Sequence, residues 1–326
     1  MKYGPLGRSG LIVSRICLGG NSWGAKGRRG WGKFDEDEAP AYFKRALDVG
    51  INFFDTADNY NAGRSEEIMG ATLLKMARRE EIVISTKVGI RQSPAANDVG
   101  TGRKHLMASI DEQLRRLQTD YIDVYQVHRL DPHTPLEETM YSLDQLVRSG
   151  KVRYIGGSTM PAYKFAQMIM LADWKGYARP IAMQNLFNLV QREEEREMNR
   201  LCQEQGVGLI PYSPLGRGFL AGNRSREGGG DTERSRNDVN VAAGTYRDCD
   251  WEIVERLKKV AAGKNASPAQ AALAWMLSKP YMAAPIIGAT SLDQLSSAAQ
   301  ATEFTISDEE AKLLEEPYRF RVPPAA

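Results

Sequence analysis

The sequence predicts an α/β protein, a (β/α)8 TIM barrel with an N-terminal β-hairpin and a long loop after strand 7. Two observations carry this. Eight short, β-rich runs recur along the 326 residues, and longer segments of helical period alternate with them. Parallel strands need crossover connections, usually helices, so strand-then-helix repeated eight times argues for a parallel sheet. Eight such units in about 300 residues suit a closed barrel. A single domain over residues 1–326 is expected, although the length alone also allows two.

Residues 2–13, KYGPLGRSGLIV, place Gly-rich turns between short extended pieces and read as a hairpin closing the bottom of the barrel. The strand candidates are RICLG (15–19), INFFD (51–55), IVISTK (82–87), YIDVYQVH (121–128), VRYIGGS (152–158), PIAMQ (180–184), VGLIPY (207–212) and AAPIIG (283–288). Between them, DEAPAYFKRALDVG spaces its apolar residues three and four apart. TPLEETMYSLDQLVRSG opens on Thr with Pro at the first helical position and closes on Gly. Residues 216–248 form a Gly-, Arg- and Asn-rich insertion, and a loop this long is usually functional or disordered; a lid is one reading of it.

An open doubly wound sheet is the rival architecture. Its glycine fingerprint fails in LGGNSWGAKG, where Asn21 takes the second glycine's place and no apolar helix follows. GRRGWGK (27–33) mimics a phosphate-binding loop, but Phe34 stands where Ser or Thr would hold magnesium, and DEDE follows. The chain is 42% hydrophobic and 26% charged, as in ordinary soluble proteins. A formal net charge of +2 gives no strong pull toward nucleic acid or membrane, and KGRRGWGK (26–33) reads as a solvated loop. Cys17, Cys202 and Cys249 are odd in number and far apart, and with three histidines they argue against a metal centre. A reducing, cytoplasmic setting fits, since the N-terminus lacks a signal-peptide pattern and no window is apolar enough to span a bilayer. A homo-oligomer is compatible with the sequence, but no heptad or repeat marks one.

In such a barrel, polar residues at strand C-termini face the active-site end. Asp55 and Tyr60 follow the second strand candidate, Lys87 ends the third and His128 ends the fourth. Ser158 and Thr159, Gln184, and Tyr212 with Ser213 close the next three. The first four form a chemical set. A phenol titrates near pH 10, a nearby ammonium favours its ionised form, and a carboxylate keeps that ammonium charged. A histidine beside them can orient a carbonyl oxygen or share a proton. Alone, each has a plain structural reading: turn cap, rim aromatic, strand-end lysine, core histidine. Together at adjacent strand ends they read as a proton donor aimed at a developing alkoxide.

GINFFDTADNYNAGRSEEIMG (50–70), ISTKVG (84–89), YIDVYQVHR (121–129), GKVRYIGGST (150–159), IPYSPLGRGFLAG (210–222) and APIIGATSLDQL (284–295) occur in order along the chain. On these stretches the sequence resembles the aldo-keto reductase superfamily, in a bacterial-type branch related to potassium-channel β-subunits. The resemblance implies NADPH and the reduction of a small-molecule carbonyl substrate; no nucleic acid or membrane partner is expected from the charge. It makes Tyr60 the general acid, Lys87 the group that depresses its pKa, Asp55 the partner of Lys87, and His128 the residue that orients the carbonyl. It also implies a cofactor groove. Ser158, Thr159 and Gln184 would hold the carboxamide and Tyr212 would stack on the nicotinamide. Ser213, Leu215 and Gly218 would meet the pyrophosphate, and Gly288, Thr290 and Gln294 the adenosine end. Ser22 and Trp23 flank the pocket, and Asp55 borders it.

Departures are visible too. Thr159 replaces a frequent Asn, Ser291 a basic residue, and Ser297 with Ala298 a Glu-Asn pair, so NADH is an alternative to NADPH. Arg224, Arg226, Arg234 and Arg236 could replace the missing cation, since guanidinium suits phosphate. Trp23, Trp31, Tyr60 and the 216–248 loop would shape the substrate pocket. Two other functions use the same residues: an NADP(H)-binding regulatory subunit with little turnover, and an alcohol dehydrogenase running in the oxidative direction.

Overall fold

The computed structural model describes residues 1–24, 35–226 and 246–321. The cluster 26–33 with Trp31, and residues 227–245 of the long insertion with Arg234 and Arg236, lie outside the described residues.

Strands β1 (Tyr3–Pro5) and β2 (Ile12–Ser14) pair antiparallel, as the hairpin reading expects. Eight parallel strands follow: β3 (Cys17–Gly19), β4 (Phe53–Asp55), β5 (Val83–Val88), β6 (Ile122–Val127), β7 (Val152–Ser158), β8 (Pro180–Gln184), β9 (Gly208–Leu209) and β10 (Ile286–Ile287). Among the described residues their order is β10-β3-β4-β5-β6-β7-β8-β9. Backbone bonds draw the two ends of that order together. Leu209 N–H donates to Tyr281 O, Ala283 N–H to Leu209 O and Ile286 N–H to Pro211 O, each at 2.9 Å. Each strand leads into at least one helix, from Ala39–Asp48 after β3 to Leu292–Gln300 after β10.

The helices form where the pattern demands. Ala39–Asp48 has Pro in its first turn and buries Ala39, Tyr42, Phe43 and Ala46, one face of a 3.6-residue period. Pro268–Leu277 is capped by Ser267, which accepts from the Gln270 N–H, while the Gln270 side chain accepts from the Ser267 N–H. Outward-facing strand residues such as Phe54 and Ile84 join the larger core with Phe43 and Leu106. Inward-facing residues behave differently along one strand. At the N-terminal end, Phe53, Val83 and Val124 pack with Leu6 and Val13 of the hairpin, which plugs the barrel. Two residues further on, the same faces carry Asp55, Ser85 and Gln126, and then Lys87. The interior is therefore apolar below and polar above, and the polar layer is the floor of the site.

Candidate active site

Lys87 is fully buried on β5, and three groups take its ammonium N–H bonds: Asp55 Oδ2 at 2.7 Å, the Thr56 carbonyl at 2.7 Å and the Tyr60 hydroxyl at 3.2 Å. Asp55 ends β4, beside β5 in register, and its Oδ1 accepts from Gln184 Nε2 at 3.0 Å and Gln126 Nε2 at 3.3 Å. Tyr60 reaches this point because the chain turns sharply after β4. Asn61, Ala62 and Gly63 all have positive φ, at 52°, 57° and 83°, immediately before helix Arg64–Leu73. The His128 N–H donates to the Val88 carbonyl at 2.9 Å, which continues the β5–β6 ladder and sets its ring edge-on to Tyr60 at 5.8 Å. The four residues singled out from the sequence thus converge on one point at the barrel mouth.

Burial would strip the proton from Lys87, but Asp55 and Tyr60 outweigh it, and the ammonium is held above its usual range. For Tyr60 the balance runs the other way from expectation. Burial pushes the phenol up, Lys87 pulls it down, Asp55 pushes it up again, and the net direction is upward. Lys87 therefore restrains the phenol's pKa without bringing it below normal in the protein alone. Burial first, then Lys87 and Arg129, depress His128 to about 2, so its imidazole is neutral at any physiological pH.

The proposed cofactor residues cluster beside this centre. Ser158 and Gln184 end β7 and β8 in register, and the Thr159 N–H donates to the Gln184 carbonyl at 3.0 Å. The Thr159 hydroxyl lies 3.4 Å from that of Ser158 and donates to Tyr212 OH at 3.5 Å. Thr159 and Ser213 hold φ of 41° and 54°, unusual for non-glycine residues and concentrated where sites are built. The Leu215 carbonyl accepts from Gly218, whose φ is 91°. A Cβ on Gly218 or Gly288 would meet no atom within 4 Å, so both strand-end loops border open space. Thr290 donates twice to Gln294 Oε1, at 2.8 and 3.0 Å.

Trp23 is buried, stacked on Phe43 at 5.1 Å and edge-on to Tyr42, while Ser22 beside it is half-buried. Arg226 is paired with Asp248 at 2.6 Å, and Arg224 donates to the Arg217 carbonyl. The sequence reading also missed Ser85 and Gln126, which line the site floor. Each sits two residues before Lys87 or His128, and the period of two alone would have placed them on the same inward face.

The fold and this constellation define a barrel oxidoreductase. Residues 15–319 match the Aldo/keto reductase family. A Schizosaccharomyces pombe protein provisionally named an aryl-alcohol dehydrogenase is 42% identical over 97% of this chain and 95% of its own length. Versiconal hemiacetal acetate reductase of Aspergillus parasiticus is 39% identical over 98% of this chain and 97% of its own. An aldo-keto reductase of Alternaria alternata is 38% identical, covering 98% and 92%. The chain belongs to the aldo/keto reductase family.

Proposed function

We propose that the protein reduces an aromatic aldehyde or ketone to the alcohol, using NADPH, with Tyr60 as the proton donor. The observation that carries this is the Lys87 ammonium, buried and bonded at once to Asp55 and Tyr60. NADPH, when bound, supplies the hydride. Ser158, Thr159, Gln184 and Tyr212 are the residues that would hold its nicotinamide end. Tyr60 gives its proton to the carbonyl oxygen as negative charge develops there, and Lys87 stabilises the phenolate left behind. Asp55 keeps Lys87 protonated. His128 is poorly suited to be the acid, because burial, Lys87 and Arg129 depress its pKa to about 2. Neutral, it can still donate one N–H to the carbonyl oxygen.

The aromatic substrate class draws on the name of the S. pombe relative. That name also favours a second reading, oxidation of an aryl alcohol by the reverse path, in which the Tyr60 phenolate takes the proton. No helix among the described residues is long and apolar enough to cross a membrane, and we place the protein in the cytoplasm on its cysteine usage. The test is the loss of NADPH absorbance with an aromatic aldehyde, with NADH in parallel. Wild type should turn over with NADPH preferred, and Lys87→Met should lose about 10^2- to 10^4-fold, the usual worth of assisted proton transfer. Tight NADPH binding with no turnover on any carbonyl tested would favour a regulatory subunit instead.

A further inference from the structure

Gln126 is fully buried on β6, two residues before His128 and on the same inward face, and its register partner on β5 is Lys87. Its amide donates to Ser85 Oγ at 2.6 Å and to Asp55 Oδ1 at 3.3 Å, while its own Oε1 is buried without a hydrogen-bond partner. A stranded buried acceptor costs stability, and an apolar side chain at this position would not itself carry one. The layer beneath follows that rule, with Phe53, Val83, Val124 and Ala182. A polar side chain kept at a cost, where an apolar one fits, calls for a reason beyond packing. Asp55 supplies one. Its Oδ2 is committed to Lys87, and its Oδ1 faces a buried interior where an unpaired carboxylate oxygen is expensive.

We propose that Gln126 is a positioning residue for the proton transfer. Anchored by Ser85, its amide fixes Asp55 Oδ1, keeps Asp55 ionised and aimed at Lys87, and so sets the acidity of Tyr60. The inference rests on the reading of Tyr60 as proton donor. The other donor to Asp55 Oδ1, Gln184, belongs to the cofactor groove; Gln126 belongs to the floor.

The charged groups acting on Tyr60 are Lys87, Asp55 and Arg129, with the neutral His128 ring against it. The experiment measures NADPH-dependent aldehyde reduction and the pH profile of NADP+-dependent alcohol oxidation for wild type, Gln126→Leu, Gln126→Glu, Ser85→Ala and Tyr60→Phe. Gln126→Leu should lower kcat roughly tenfold, the worth of one hydrogen bond to a charged group, and leave KM for the aldehyde within about twofold. Gln126→Glu sets a second carboxylate against Asp55. Added negative charge raises the phenol's pKa, so the pH at which oxidation switches on should rise by about one unit. Ser85→Ala should lower kcat less than Gln126→Leu, and it carries the test if the larger changes do not fold. Unchanged kcat in folded Gln126→Leu, or in Ser85→Ala where Gln126→Leu does not fold, would overturn the inference. So would a Gln126→Glu enzyme that loses rate with an unmoved pH limb, since a merely structural role predicts that. Tyr60→Phe with wild-type turnover would instead overturn the reading beneath it.

Discussion

Asp58 lies two residues before the proposed proton donor, and its carboxylate is buried. Burial, then Glu66, push its pKa well above the ordinary carboxylate range. A raised folded-state pKa means that its stabilisation is complete below the unfolded value and is lost as pH rises through the folded one. Asp58→Asn should therefore gain stability relative to wild type as pH rises above the ordinary carboxylate range, read from urea midpoints; a constant difference would contradict this. His128 has the opposite sign. Its pKa is depressed, so stability held above pH 6.5 is lost as pH falls toward about 2, at up to about 1.4 kcal/mol per pH unit. Replacing it with Asn should flatten that acid slope between pH 6.5 and 4.5, and parallel curves would refute the assignment. The convergence of Asp55, Tyr60, Lys87 and His128 was legible because the proposed chemistry needs four unlike groups at neighbouring strand ends. The upward drift of Tyr60 was not, since burial is a property of the assembled site.

At the scale of elements, all eight parallel strands and the hairpin were readable from apolar runs and their spacing, but strand lengths were not. The run 207–212 pairs as a named strand only over Gly208–Leu209, and 283–288 only over Ile286–Ile287. Proline explains both trims. Pro211 and Pro285 lack an N–H to give the ladder, and their carbonyls are instead taken by Ile286 and Cys17. The barrel's lower layer should be the least forgiving part of the fold, because it is apolar and closed by the hairpin. Phe53→Ala is expected to cost about 3–5 kcal/mol in denaturant unfolding, a cavity effect. A cost near 1 kcal/mol would mean that the barrel interior collapses around the change.

Across the whole molecule, one design separates stability from chemistry. The hairpin and lower strand residues form an apolar plug, and the upper strand residues form a polar floor on which the Lys87 network stands. The strands are rigid and register-locked, so they hold Asp55, Lys87 and Gln184 in fixed relation while turns supply Tyr60, Thr159 and Ser213. This division lets loops vary in substrate choice without disturbing the proton path. The central claim is that Tyr60 delivers the proton, and the most direct measurement is turnover of an aromatic aldehyde by Tyr60→Phe with NADPH binding followed separately. Binding retained with kcat lower by about 10^2-fold or more is the predicted result, as expected for loss of a general acid. Turnover close to wild type with binding intact would contradict it and return the proton to another group.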